Sequence, residues 1–103
     1  MNKYYIYIIR CSDNSLYTGI TTDIDRRMME HKTKSRVGAK YTKNHDFLKL
    51  EIYFETSSRS LASSLEFYIK KLKKREKENI IKSKSLDILK DKIDLNLYKL
   101  VIT

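Results

Sequence analysis

Apolar residues occupy both parities of residues 4–11, which read Tyr-Tyr-Ile-Tyr-Ile-Ile-Arg-Cys. Tyr5, Tyr7 and Ile9 point one way and Tyr4, Ile6 and Ile8 the other, as in a strand from the interior of a sheet. Ser12-Asp13-Asn14-Ser15 is a run of turn formers, so Leu16–Ile20 is predicted to return antiparallel as a hairpin. Gly19 weakens this second strand, which points to a bulge or a close backbone approach. Thr22 or Asp23 offers an N-cap, and Ile24, Met28 and His31 then recur at helical spacing. Arg27 lies beside that stripe, while Arg26 and Glu30 point outward.

Residues 32–46 are polar and basic, with Gly38-Ala39-Lys40-Tyr41-Thr42 in the middle, and read as a loop with one short helical turn at most. Leu48, Leu50, Ile52 and Phe54 alternate with Lys49, Glu51, Tyr53 and Glu55. That pattern predicts a strand with one face in the core and one in water. Residues 56–60 supply N-caps for a helix whose stripe is Leu61, Leu65, Tyr68, Ile69 and Leu72, with Glu66 on its flank. A basic run from Lys70 to Lys77 suits the end of that helix, and a short helix through Ile80 and Ile81 follows. Residues 86–103 are helical in spacing at 86, 89 and 93 but alternate at 93, 95 and 97, so their type stays open. They are apolar enough to dock on the core or on another chain. The expected fold class is α+β, a small three-stranded antiparallel sheet flanked by helices.

Length and charge narrow the function classes. The 103 residues suffice for one core. No window approaches the ~20 apolar residues of a membrane span. The opening residues lack a signal-peptide pattern, so a cytoplasmic, non-secreted protein is expected. The single cysteine, Cys11, cannot form a disulfide within the chain and reads as a small buried hydrophobe. Twenty-two Lys and Arg against thirteen Asp and Glu leave a net charge of +9. Such a balance favours a polyanion, nucleic acid first, because each neutralised phosphate releases counterions. A membrane surface is disfavoured, since no helix joins a basic face to exposed Trp or Phe.

The ordered motifs resemble the GIY-YIG nuclease family, most closely its small stand-alone members. The residues that carry the resemblance are Tyr5-Ile6-Tyr7, Tyr17-Thr18-Gly19, residues 19–23, Arg26-Arg27 and Glu30-His31. They continue with residues 38–42 and 66–72, so the likeness spans roughly 3–82, leaving 83–103 as a C-terminal extension. Each triplet alone is a weak signal; their order and spacing together are strong. The resemblance implies a metal-dependent DNA endonuclease that uses Mg²⁺ or Mn²⁺. It places Tyr7, Tyr17, Arg27, His31 and Glu66 in the catalytic site, with Glu66 as the metal ligand. The departures are Tyr5, where the family name has Gly, and a late asparagine for which Asn79 is a candidate.

The chemistry of these residue types agrees. One carboxylate suffices for Mg²⁺, which keeps waters and takes phosphate oxygens as further ligands. Arg27 can make a bidentate contact to a phosphate. Tyr17 is the first choice as base or water-orienter, with Tyr7 beside it and His31 sharing the proton. Lys40, Tyr41, Lys70, Lys71 and Lys74 are candidates for DNA contact. The competing readings are a nucleic-acid-binding module that does not cut, and a protein partner bound through residues 86–103. The tyrosine assignment also sets a condition. A two-residue turn at Asp13-Asn14 pairs Tyr17 with Arg10, away from Tyr7, so the loop must hold an odd number of residues or a bulge must intervene.

Overall fold

The computed structural model describes residues 3–37 and 46–101. Strand β1 (Tyr4–Cys11) leads to β2 (Leu16–Thr21), helix α1 (Ile24–Val37), β3 (Phe47–Thr56), α2 (Arg59–Lys71), α3 (Lys74–Ser83) and β4 (Lys99–Val101). The strands form one antiparallel sheet in the order β2-β1-β3-β4. Thus β1, apolar on both faces, is an interior strand. The sheet has four strands where three were expected. The fourth comes from the segment of ambiguous spacing, where Lys99, Leu100 and Val101 pair with Glu55, Phe54 and Tyr53.

The hairpin meets the odd-loop condition. Ser12, Asp13 and Asn14 form a three-residue loop closed by Cys11 N–H donating to the Ser15 carbonyl at 2.9 Å and Asn14 N–H to the Cys11 carbonyl at 2.8 Å. Asn14 takes φ 70°, a left-handed conformation that asparagine tolerates better than most residues. The Asp13 carboxylate accepts from the Ser15 amide and hydroxyl. In this register Ile9 faces Tyr17 and Tyr7 faces Gly19, so both tyrosines lie on one face.

That face is covered by α1, whose Ile24 and Met28 pack on Tyr7, Ile9 and Cys11. Asp23 is its N-cap, accepting from the Arg26 amide at 3.0 Å. The helix runs to Val37, so the first part of the expected 32–46 loop is helical. No Gly or Pro lies within residues 24–37 to stop it, and Lys and Arg are good helix formers. The opposite face, with Ile6 and Ile8, is covered by α2 and α3 through Ala62, Leu65, Ile69 and Ile80, joined by Leu86 and Leu89.

Strand β3 departs from its simple alternation. The register shifts once between Ile8 and Ile9 and again between Arg10 and Cys11, so Leu50 faces Ile9 and Phe47 faces Cys11. An extra residue inverts side-chain parity beyond it. Ile52 and Phe54 enter the α2 core, Leu50 and Tyr53 pack under α1, and Leu48 is 57% exposed. The expected wet face of this strand is therefore partly covered.

The basic run does not end one helix. Leu72 and Lys73 are extended, and α3 restarts with the Lys73 amide donating to the Glu76 carboxylate at 2.8 Å. An ion cluster then ties α3 to the sheet. Arg10 Nε donates to Glu51 at 2.6 Å, and its Nη1 and Nη2 donate to Glu78 at 2.7 Å each. The Arg10 guanidinium holds the Glu78 carboxyl down at about 2, with Lys74 helping. Among the described residues no helix is long and apolar enough to cross a membrane.

Candidate functional site

Tyr7 anchors the site because the sheet gives its ring a place to lie. The ring crosses its partner Gly19 so closely that a Cβ there would stand 2.4 Å from the phenol oxygen. The sequence signal of a close approach at Gly19 is thus a side chain over backbone, and any larger residue would displace the phenol.

The phenol meets two side chains of α1. Arg27 Nε donates to it at 3.2 Å, and His31 Nε2 lies 2.9 Å away. Since the oxygen already accepts from Arg27, its own proton goes to His31 Nε2, a network-based assignment that makes this nitrogen an acceptor. Tyr7 is 1% exposed. Burial pushes its pKa above 10, against the lowering effect of Arg27; the nearby Tyr17 and Glu66 add to the rise. It therefore remains a neutral phenol at physiological pH. The bond to Tyr7, and then Glu30, hold the Arg27 guanidinium charged. Arg27 Nη1 donates to Glu30 at 2.8 Å. Among the described residues, Arg27 Nη2 has no hydrogen-bond partner.

Tyr17 completes an aromatic triangle. Its ring centroid is 6.3 Å from that of Tyr7 and 5.6 Å from that of His31, and Tyr7 and His31 are also 5.6 Å apart. Phe47 stacks on the imidazole at 6.2 Å with planes 14° apart. Tyr17 is half-buried, so the edge strand β2 presents it toward solvent more than Tyr7.

Glu66 and Lys70 arrive from α2, on the other layer, past this sheet edge. The Lys70 ammonium is 5.9 Å from the Tyr17 ring centroid and 3.3 Å from the Glu66 carboxylate. The structure thus gathers Tyr7, Tyr17, Arg27 and His31 directly, with Glu66 close enough for its charge to act on Tyr7. Lys70 stands at the same edge. Lys71 lies over Phe67 at 4.5 Å, and Lys74 pairs with Glu78 at 3.1 Å, in the Arg10 cluster. Lys40 and Tyr41 lie outside the described residues. Asn79 is exposed on α3, and Tyr5 packs edge-on to Tyr53. Cys11 is buried, which pushes its thiol pKa up and away from nucleophilic use.

Two residues of this site escaped sequence reasoning. Glu30, expected to point outward, pairs with Arg27, for which its i+3 spacing is a usable signal. Phe47 has the odd parity of Tyr53, and the two β3 register shifts together restore that parity, so its place on the α1 face was a usable signal in the alternation.

The donor set bears on a metal. Among the described residues no three His, Cys, Asp or Glu side chains converge. A lone, partly exposed carboxylate such as Glu66 suits Mg²⁺ or Mn²⁺, which retain waters, and not a tetrahedral zinc site.

Comparison with known proteins identifies relatives of the chain. Residues 3–79 match the model of the GIY-YIG catalytic domain. The chain is 51% identical over 88 residues to a UPF0213 protein of Fusobacterium nucleatum, covering 85% of each. It is 44% identical over 81 residues to the UPF0213 protein YhbQ of Salmonella typhimurium, covering 79% of each. The solution NMR structure of a UPF0213 protein from Bacillus halodurans superposes with a TM-score of 0.52 at 36% identity, covering 87% of this chain and 94% of that one.

Proposed function

The chain belongs to the GIY-YIG family, and from that premise we propose that it is a metal-dependent DNA endonuclease. The observation that carries this reading is the buried Tyr7 phenol holding Arg27 and His31 beside Tyr17. Each residue then has a distinct task. Tyr7 keeps its proton and positions the other two. Arg27 offers Nη2 to a phosphate oxygen, where charge builds as the phosphorus becomes five-coordinate. Tyr17, at the open edge, orients the attacking water. Hydrolysis forms one P–O bond from that water and breaks one ester P–O bond; the water's proton leaves through the Tyr17 hydroxyl and the departing oxygen takes one from solvent. His31 accepts from Tyr7 and fixes the phenol's direction. Glu66 would hold Mg²⁺ or Mn²⁺, which when bound supplies Lewis acidity and neutralises phosphate charge. In this reading recognition rests on DNA shape or has low sequence specificity.

Supercoiled, branched and single-stranded DNA incubated with the protein and Mg²⁺ or Mn²⁺ tests the proposal. Cleavage should fall by roughly 100-fold or more in Glu66→Ala and in Arg27→Ala. Cleavage that persists in both variants sinks this site. The net charge of +9 also supports a second reading, a DNA-binding module without turnover. Salt-sensitive binding with no cleavage of any substrate selects it.

A further inference from the structure

Beside the tyrosines, α1 and the start of α2 enclose an open cavity of about 260 Å³. Three guanidinium groups line it, Arg26 and Arg27 from α1 and Arg59 from α2, together with Thr22 and one carboxylate, Glu30. Glu30 offsets one of the three charges through its pairs with Arg27 at 2.8 Å and Arg26 at 3.9 Å. Arg59 has no ion pair among the described residues, and it is the first residue of a helix of 13 residues, whose dipole adds positive potential there. Such a surplus of cations in a recess needs an anion, and planar forks from two elements suit the oxygens of a phosphate. A water occupies about 30 Å³ of liquid, so the recess holds a phosphodiester group with room for hydration.

We infer that this cavity is a second phosphate site, which grips the DNA backbone next to the phosphate being cut. The inference rests on the proposed reading of the neighbouring site as one for DNA. Arg27 belongs to both places: its Nε bonds Tyr7, while its guanidinium also lines the cavity. A strand that places one phosphate at Arg27 and the tyrosines therefore carries an adjoining phosphate toward Arg59 and Arg26. Arg59 is a binding residue that sets where along the strand the cut falls, and it takes no part in the chemistry.

Fluorescence anisotropy of labelled single-stranded and duplex DNA, with divalent metal chelated and NaCl varied from 50 to 300 mM, tests this on the full chain. One lost phosphate contact lowers the slope of log K against log[salt] by about 0.7–0.9. Arg59→Ala should show that drop and bind roughly 5- to 10-fold more weakly at 100 mM NaCl. Arg59→Lys, which keeps the charge, should retain the slope, and Lys92→Ala, outside the cavity, should leave it unchanged. Thermal melting confirms that the exposed Arg59 variants stay folded. An unchanged slope in Arg59→Ala, an equal drop in Lys92→Ala, or no binding by the wild-type protein overturns the inference. Cleavage assays on the same preparations separate the two claims. An Arg59-dependent slope without turnover removes only the endonuclease reading; turnover with an Arg59-independent slope removes only the second phosphate site.

Discussion

Arg10 and Arg27 both reach from one element to others, yet they are satisfied in opposite ways. Arg10, its side chain 14% exposed, meets two carboxylates, Glu51 and Glu78, and also the Asn14 side chain. Each nitrogen of that guanidinium has a partner in the protein. Arg27, 28% exposed, meets a neutral phenol and one half-exposed carboxylate. It keeps an outward nitrogen and lines an open recess. Arg10 joins β1, β3 and α3 as a structural tie, whereas Arg27 is only partly neutralised within the protein, and the proposed function assigns its remaining charge to an outside anion. The contrast teaches that the site is distinguished by incomplete neutralisation, since burial alone does not separate the two arginines.

Exchanging the damage tests this most severely. Arg27→Ala should lower cleavage by roughly 100- to 1,000-fold, the scale seen when one donor to a developing anion is lost. Its melting temperature should change little. Arg10→Ala should do the reverse. Removing it strips two partly buried carboxylates of their main partner and costs about 2–3 kcal/mol. For a domain this size each kcal/mol shifts the melting temperature by roughly 4–8 °C. Cleavage by the folded fraction should stay near wild type. A large activity loss in Arg10→Ala at temperatures where it is folded would break the comparison.

Gly19→Ala reaches Arg27 without touching any charge. The new methyl lands on the Tyr7 phenol and must push it off Arg27 and His31. Overpacking of this kind costs about 1–3 kcal/mol. Misplacement of the phenol should also lower cleavage by at least ~10-fold. Wild-type stability in Gly19→Ala, measured by chemical denaturation, would show that the ring is not confined.

These tests rest partly on what sequence alone made legible. The strand-turn-strand-helix order and the i, i+4 relation of Arg27 and His31 follow from spacing, because local periodicity fixes which side chains share a face. The shared face of the two tyrosines instead hung on the hairpin loop, whose three residues only the structure shows. The β3 register was hidden. Leu48, Leu50, Ile52 and Phe54 alternate well enough to predict one apolar face. One extra residue near Glu51 inverts it for Leu50, a second near Leu48 restores it, and Glu51 instead meets Arg10, 41 positions earlier. A long-range ion pair leaves no mark on local pattern. The short β4 was hidden for a similar reason: three residues pair because Tyr98 and Leu100 dock on the core, with the Tyr98 hydroxyl donating to the Leu61 carbonyl at 2.7 Å. The cavity arginines were visible as residues, but their convergence needed the start of α2 beside α1.

Acid sharpens the contrast further. The Glu78 carboxyl is held at about 2 against an ordinary 4.5, through its bond to Arg10. A lowered folded-state pKa contributes stability that is present above the unfolded value and lost as pH falls through the folded one. Stability should therefore decline between about pH 4.5 and 2, by about 1 kcal/mol after solvent screening of this partly exposed group. Glu78→Gln should flatten that part of the melting curve against pH. An equally steep acid limb in the variant would place the titration elsewhere.

The smallest expected effect belongs to Lys74. Its side chain is 50% exposed and pairs with Glu78 at i+4, so it belongs to the Arg10 cluster and not to the tyrosine edge. Exposed helix pairs contribute about 0.3–0.5 kcal/mol. Lys74→Ala should thus lower stability by no more than that, and less in 0.5 M salt, where the pair is screened. If Lys74 instead grips DNA, as its place in the basic run suggested, its loss should cut the salt slope of binding as one phosphate contact does. The two roles separate cleanly, because a cation already spent on Glu78 has little left for phosphate. An unchanged slope beside a slight loss of stability would confirm that neutralisation within the protein, and not position in a basic run, decides which cations reach the DNA.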